Sequence, residues 1–224
     1  MVENIITLLR WALVIAIIII SGVLMLNAAI SDSAIVDEPA HISAGYSYLK
    51  FLDYRLNPEQ PPLVKMLAAI PLLFQPIKFP LQSLAWNQGT NDQWAIGDEF
   101  LYHPGNNPDR ILFLARLGPI LLTLLLILII YFWAKEIIGR WWALLPAFLF
   151  AFSPLILANG HYVTADIGAT LGVVSATAVF LWFLFKPNKK RAILIGVVLG
   201  FSLLLKFSVV FLIPYFIFLA GVFI

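Results

Sequence analysis

Long runs of apolar residues, interrupted by short polar segments, dominate the pattern along the chain. Four uncharged runs of 18 to 20 residues form the cores of spans predicted at about 11–30, 112–134, 141–158 and 167–185. A helix needs about 20 apolar residues to cross the roughly 30 Å hydrocarbon core of a bilayer. The pattern therefore predicts an all-α polytopic membrane protein.

The last apolar segment, residues 192–224, is 33 residues long and is interrupted only by Lys206. A helix of that length would extend about 50 Å, which is too long for one ordinary span. It is therefore either one tilted helix or two helices that turn near Lys206, and we favour two spans, 192–205 and 207–224. Because the chain stops inside an apolar segment, we expect residues 1–224 to be the amino-terminal part of one membrane domain whose carboxy-terminal remainder is missing.

The loop between the first two spans, residues 31–110, is long and holds most of the polar residues. Two amphipathic helices are predicted in it, at about 39–52 and 63–74, joined by the proline-rich turn 53–62. Tyrosines suit the headgroup level of a bilayer, so we expect both helices to be interfacial. Residues 75–110 are rich in Trp, Gly, Pro and Asn and are expected to form an ordered loop.

Composition and charge exclude several classes of protein. Hydrophobic residues make up 62% of the chain, charged residues 12%, and the mean hydropathy is +0.95. That leaves too little polar surface for a soluble globule, and it also excludes disorder. A net charge of +2 does not favour nucleic acid as a partner. The lack of cysteine excludes disulfides and thiolate metal sites.

Basic residues concentrate in two short loops, 135–140 and 186–191. Short basic loops remain in the cytoplasm, so the amino terminus is predicted to be cytoplasmic. Residues 31–110 and 159–166 then lie outside, in a multi-pass protein of the inner cell membrane. The outer loop carries nine of the twelve acidic residues.

Carboxylates and cations thus gather beside the outer membrane face, where ionisable groups cost less than at the bilayer centre. They could act on a lipid with a charged head, because group transfer needs a base and cations for a leaving phosphate. A transporter or lipid flippase is the alternative, but it predicts charges deep in several spans. Only Lys206 interrupts an apolar run in that way. A non-catalytic membrane fragment that binds a partner is the third interpretation.

Three segments carry a resemblance to a known family. They are Asp37-Glu38-Pro39-Ala40-His41, Asn57-Pro58-Glu59-Gln60-Pro61-Pro62-Leu63-Val64-Lys65 and His161-Tyr162-Val163-Thr164-Ala165-Asp166. Together with matches around Arg116 and Lys206, in the same order, they resemble the GT-C membrane glycosyltransferases. The nearest groups are glycosyltransferase family 39, which includes the protein O-mannosyltransferases, and the aminoarabinose transferases.

The resemblance implies a GT-C-type transmembrane module with a long extracytoplasmic first loop. Such an enzyme takes a sugar from a polyprenyl-phosphate donor and passes it, with inversion, to an acceptor protein, lipid or glycan. Asp37 corresponds to the catalytic base, supported by Glu38. The residues that correspond to donor-phosphate or substrate contacts are Lys65, Glu59, Arg116, Asp166, Lys206 and His41.

One position departs from the family pattern, and each assignment has a structural alternative. Gln60 stands where many relatives have histidine, and glutamine cannot shuttle a proton. The three histidines lack the short spacing of a metal site, so no metal ligand or certain cofactor is predicted, although a divalent ion remains open. Acidic residues at a helix start also favour the helix dipole, and a basic residue at a span end can simply snorkel.

Overall fold

The computed structural model describes residues 2–223, and this part of the chain is all-α. The elements are α1 (Val2–Ser31), α2 (Asp37–Phe51), α3 (Pro62–Ala69), a 3-10 helix (Ile70–Phe74), α4 (Leu84–Gln88), α5 (Gln93–Leu101), α6 (Pro108–Ile138), α7 (Leu144–Ala151), α8 (Pro154–Asn159), α9 (Asp166–Phe185), α10 (Lys189–Leu205), a 3-10 helix (Phe207–Phe211) and α11 (Leu212–Phe223). Helices α1, α6 and α9 contain apolar segments long enough to cross a membrane. The prediction of an all-α membrane protein is confirmed.

Helix α6 is the centre of the membrane bundle and packs against α1, α3, α7 and α9. On one side Tyr131 and Ile127 of α6 meet Val14 and Ile17 of α1 in a buried cluster. On the opposite side α6 packs on α9, with Leu205 of α10 in the same cluster. Because lipid is as apolar as these side chains, close packing rather than removal from water holds the helices together.

The segment predicted as one span at 141–158 is divided into α7 and α8. The backbone of Ser153 is extended, with φ −62° and ψ 128°, and α8 begins at Pro154. Proline has no N–H to donate and disfavours a helical residue before it, and here the helix ends. The apolar run therefore forms two short helices instead of one span.

The last apolar segment forms two helices. Helix α10 ends at Leu205, and Lys206 is extended with φ −156° and ψ 132°. A 3-10 turn over 207–211 then leads into α11. The break brings Lys206 out of the helix and beside the first residue of α9.

Helix α2 lies at the centre of the unit that residues 31–110 form, and its interfacial position stays a prediction. Eleven of its 15 residues, from Glu38 to Tyr48, are buried, because α3 packs on one side and α5 on another. A Cβ at Gly45 would collide with the carbonyl of Lys65, so glycine permits the close approach of α2 and α3. The helix ends at Phe51, and Leu52 adopts φ 55° with 78% of its surface exposed.

Candidate functional site

Five of the predicted site residues lie near the end of the bundle where α2 and α9 begin. His41 is the focus: the charges of Lys65, Asp37, Glu59 and Asp166 all act on its imidazole. Helix α2 supplies Asp37 and His41 one turn apart, so both side chains lie on one face. The turn before α3 supplies Glu59, and the start of α9 supplies Asp166.

Asp37 is an exposed carboxylate in the first turn of α2. The preceding residue, Val36, occupies the N-cap position and provides no side-chain cap. Within residues 2–223 the Asp37 side chain forms no hydrogen bond or ion pair. Asp37 is thus an exposed carboxylate that is available as a proton acceptor.

Asp166 and Lys206 form an ion pair at the start of α9, with 2.6 Å between Oδ1 and Nζ. The Asp166 side chain is 77% exposed and that of Lys206 is 27% exposed. Exposed ion pairs contribute little to stability, because water competes for both partners. Lys206 can therefore exchange the carboxylate for another anion at small cost.

His41 is buried, and its environment opposes protonation. Burial, and then the charge of Lys65, lowers its pKa from 6.5 to about 4, although three carboxylates act in the opposite direction. Its Nδ1 is buried without a hydrogen-bond partner among the described residues. At neutral pH the side chain is therefore an uncharged imidazole, which can donate one hydrogen bond and accept one.

We expect acid to destabilise the protein through His41. The unfolded chain takes up a proton near pH 6.5 and the folded chain only near pH 4, so stability is complete above pH 6.5 and falls as the pH drops between these values. A shift of this size corresponds to a loss of about 1–3 kcal/mol by pH 4.5. Thermal unfolding of His41→Gln at pH 7 and pH 4.5 should show less acid destabilisation than the wild type. His103→Gln, in the outer loop, is the control, and equal profiles for all three proteins would contradict the expectation.

Lys65 is enclosed instead of facing the surface, with 1% of its area exposed. Its Nζ donates to Asn57 O at 2.6 Å, Asn57 Oδ1 at 2.8 Å, Gln60 O at 2.8 Å and Tyr48 Oη at 2.9 Å. Burial lowers the pKa of Lys65 to about 8. The ammonium holds the proline-rich turn against α2 and α3, and its contact with a donor phosphate stays a prediction.

Glu59 connects that turn to the distal part of the outer loop. Its carboxylate accepts hydrogen bonds from the side chains of Asn57 at 3.3 Å, Asn91 at 3.2 Å and Gln93. Burial raises the pKa of Glu59, but its own backbone N–H and the side chains of Gln93 and Asn91 lower it, and the net shift is downward. Glu59 therefore connects the proline-rich turn to Asn91 and Gln93 at the edge of the site.

Glu38 and Arg116 form a fully buried ion pair between α2 and α6, with both side chains 0% exposed. Arg116 Nε lies 2.9 Å from Glu38 Oε1, and Nη2 lies 2.7 Å from Oε2. The remaining donors of Arg116 reach the carbonyls of Ala29, Asp32 and Ser33 at 2.7–3.0 Å. All five N–H groups of the guanidinium are thereby used, so none is left for a phosphate.

Glu38 is equally occupied. Besides Arg116, its two oxygens accept hydrogen bonds from the backbone N–H groups of Ile35 at 3.1 Å and Val163 at 3.2 Å. The pair therefore ties the end of α1, the start of α2 and the segment before α9 to α6. Its geometry favours a positioning role for both residues beside the exposed Asp37.

A second polar cluster was not predicted from the sequence. Asp32, at the end of α1, accepts hydrogen bonds from Tyr162 Oη at 3.0 Å and lies 3.1 Å from His161 Nε2. Burial and the charge of Arg116 lower the pKa of His161. His161 and Tyr162 belong to a segment that carried the resemblance, but no pattern marked Asp32 as their partner.

The arrangement offers a free carboxylate on Asp37, a displaceable ammonium on Lys206 and a neutral imidazole on His41. Among residues 2–223 there is no group of three His, Asp or Glu side chains placed to hold a metal ion. These groups can accept a proton, bind an anion and hydrogen-bond a hydroxyl. They suit the transfer of a group between a hydroxyl and a phosphate ester.

Comparison with known proteins gives one match. A family profile described as dolichyl-phosphate-mannose-protein mannosyltransferase matches residues 110–222, which is half of the chain. The match runs from the first turn of α6 into the last turn of α11, and it includes Arg116, Asp166 and Lys206. No curated protein and no solved structure matches the chain.

Proposed function

We propose a reaction for this chain on one premise: it belongs to the dolichyl-phosphate-mannose-protein mannosyltransferase family. It is therefore a membrane glycosyltransferase of the GT-C type. The reaction that we assign to it is the transfer of a mannose-type hexose from a polyprenyl-phosphate donor to an acceptor on the extracytoplasmic face. The acceptor that we favour is a hydroxyl group of a protein.

In the proposed step Asp37 takes the proton of the acceptor hydroxyl. The acceptor oxygen forms a bond to the anomeric carbon from one side while the bond from that carbon to the phosphate oxygen breaks on the other side. The sugar is therefore inverted, and the electron pair leaves with the polyprenyl phosphate. Lys206 leaves its ion pair with Asp166 and binds the polyprenyl phosphate. Its positive charge stabilises the negative charge that develops on the leaving phosphate.

One observation carries this assignment. The charges of the exposed Asp37 and Asp166 carboxylates both act on the His41 imidazole, and Asp166 is ion-paired with Lys206. A base and a phosphate-binding cation thus border one surface at the outer end of the bundle. Neutral His41 completes it as a hydrogen-bonding contact for a sugar hydroxyl.

The other predicted residues are engaged in contacts that hold the segments around this surface in place. Glu38 and Arg116 hold the start of α2, and so position Asp37, through the buried ion pair. Lys65 and Glu59 hold the turn that closes the opposite side. We assign these four residues to positioning of the site.

The orientation that we propose puts the amino terminus in the cytoplasm and α2 outside. Because the chain has no cysteine, the labelling of a single introduced cysteine shows on which side of the membrane that position lies. Thr90→Cys in the outer loop and Lys189→Cys at the start of α10 are both exposed positions. In intact cells an impermeant maleimide should label only Thr90→Cys. Labelling of Lys189→Cys alone would reverse the orientation and remove the site from the outer face.

The reaction is tested in membranes that contain the protein, supplied with radiolabelled polyprenyl-phosphate mannose. We expect label to become covalently attached to membrane proteins, above the level in membranes from cells with an empty vector. Labelled GDP-mannose should serve only where the membranes first convert it to the polyprenyl-phosphate form. Equal labelling with and without the protein would contradict the assignment. Passage of intact labelled donor across sealed vesicles, without covalent transfer, would favour the transporter alternative.

A further inference from the structure

Arg10, near the amino-terminal end of α1, is a buried cation without an anionic partner. Only 7% of its surface is exposed, and its Nε is buried without a hydrogen-bond partner. Within residues 2–223 the guanidinium forms no ion pair and no hydrogen bond. The face of the Trp11 ring compensates only weakly for the removal of this charge from water, so the arrangement points to an anion that the polypeptide does not supply.

A second unpaired polar atom lies at the same end of the bundle. Tyr131 Oη of α6 is buried without a partner. The Trp11 ring contacts both groups, with its centroid 5.9 Å from Arg10 Cζ and 6.0 Å from the Tyr131 ring. The nearest acid along α6, Glu136, pairs with Lys135 at 3.2 Å instead of with Arg10.

An apolar groove begins one turn from Arg10. It has a volume of about 510 Å³ and runs along α1 from Leu13 to Ile20, opposite Phe148 of α7. Leu13 is three residues from Arg10, so the groove and the guanidinium lie on adjacent parts of one helix face. Trp141 and Trp142 also line the groove, and tryptophan prefers the level of lipid headgroups.

We infer that this groove binds one anionic phospholipid, with its phosphate on Arg10 and an acyl chain between α1 and α7. Charge complementarity carries the assignment: arginine forms strong paired hydrogen bonds with phosphate, and basic pockets between membrane helices recognise anionic headgroups. Arg10 lies in α1 and Asp32 directly follows it, 22 residues later. This separation corresponds to about 33 Å along the axis of α1. The lipid site is therefore at the opposite end of the bundle from Asp37 and is independent of the proposed reaction.

The test measures lipid binding by native mass spectrometry of the delipidated full chain in detergent. The probes are phosphatidylglycerol and phosphatidylcholine with identical acyl chains. We expect phosphatidylglycerol to bind about fivefold to tenfold more tightly, and Arg10→Gln to remove this preference. Arg140→Gln, an exposed arginine at the same end, is the matched control and should keep it.

A second variant keeps the test decisive if Arg10→Gln does not fold. Ala16→Phe fills the groove while it retains Arg10, and it should weaken the binding of both lipids. Arg10→Lys retains the charge and should keep most of the preference for phosphatidylglycerol. Equal affinity for the two lipids, an equal loss in Arg140→Gln, or unchanged binding in Ala16→Phe would each overturn the inference.

Discussion

Replacement of Arg116 by leucine is expected to destabilise the protein by about 3–5 kcal/mol, because it leaves the buried carboxylate of Glu38 without its partner. Both side chains are 0% exposed, so water cannot replace the lost contacts. The carbonyls at the end of α1 would lose their donors as well. The loss is measured as a fall in unfolding temperature and in the yield of folded protein from detergent.

Arg110→Leu is the matched control, because Arg110 is an exposed arginine on the same helix. It should change stability by no more than about 0.5 kcal/mol. The double variant Glu38→Leu with Arg116→Leu should be less destabilised than the sum of the two single variants, because no isolated charge then stays buried. Additive losses, or equal losses in Arg110→Leu and Arg116→Leu, would show that the pair does not hold the outer end of the bundle.

The longest helices were predictable from sequence because their signal is local. A run of about 20 apolar residues has few alternatives to a membrane helix, and α1, α6 and α9 follow from such runs. The break between α7 and α8 was hidden because the run stays apolar through it. Only Ser153 and Pro154 signal it, and a proline is tolerated inside many membrane helices, as Pro119 is in α6.

The burial of α2 was not predictable from its own pattern. Its residues alternate between polar and apolar types in a way that suits an interface, and its burial depends on α5, which is distant in sequence. The same limit applies to the ion pair of Glu38 and Arg116, which are 78 residues apart. A motif identifies residue types and their order, whereas the acceptors around a cation depend on which loops the fold brings to it.

The resemblance grouped residues by position in a motif, and the structure divides that group by exposure. Asp37, Asp166 and Lys206 reach the surface, while Glu38, Arg116 and Lys65 are enclosed by their own hydrogen bonds. Asp32 carried no signal, because a single acid after an apolar run is the ordinary end of a span. Which charges are free for a substrate is therefore a property of the packing.

We expect Asp37→Asn to reduce sugar transfer by about 10²–10⁴-fold, because an amide cannot accept the proton of the acceptor hydroxyl. Asp37 makes no hydrogen bond within residues 2–223, so the substitution removes no contact that holds the fold. The loss should therefore fall on kcat, with little change in the KM for the polyprenyl-phosphate donor. Initial rates with labelled donor, at equal amounts of folded protein, measure it.

Asp109→Asn separates the base from the helix dipole, because Asp109 is also an exposed aspartate in the first turn of a helix. Both substitutions remove one favourable charge from a helix start, which is worth about 0.3–1 kcal/mol, so both proteins should lose similar small amounts of stability. Only Asp37→Asn should lose transfer. Asp37→Glu retains the carboxylate one methylene further out and should keep part of the rate. Full transfer by Asp37→Asn would remove Asp37 from the chemistry, and Asp166 and Glu59 would then be the remaining exposed carboxylates that act on His41.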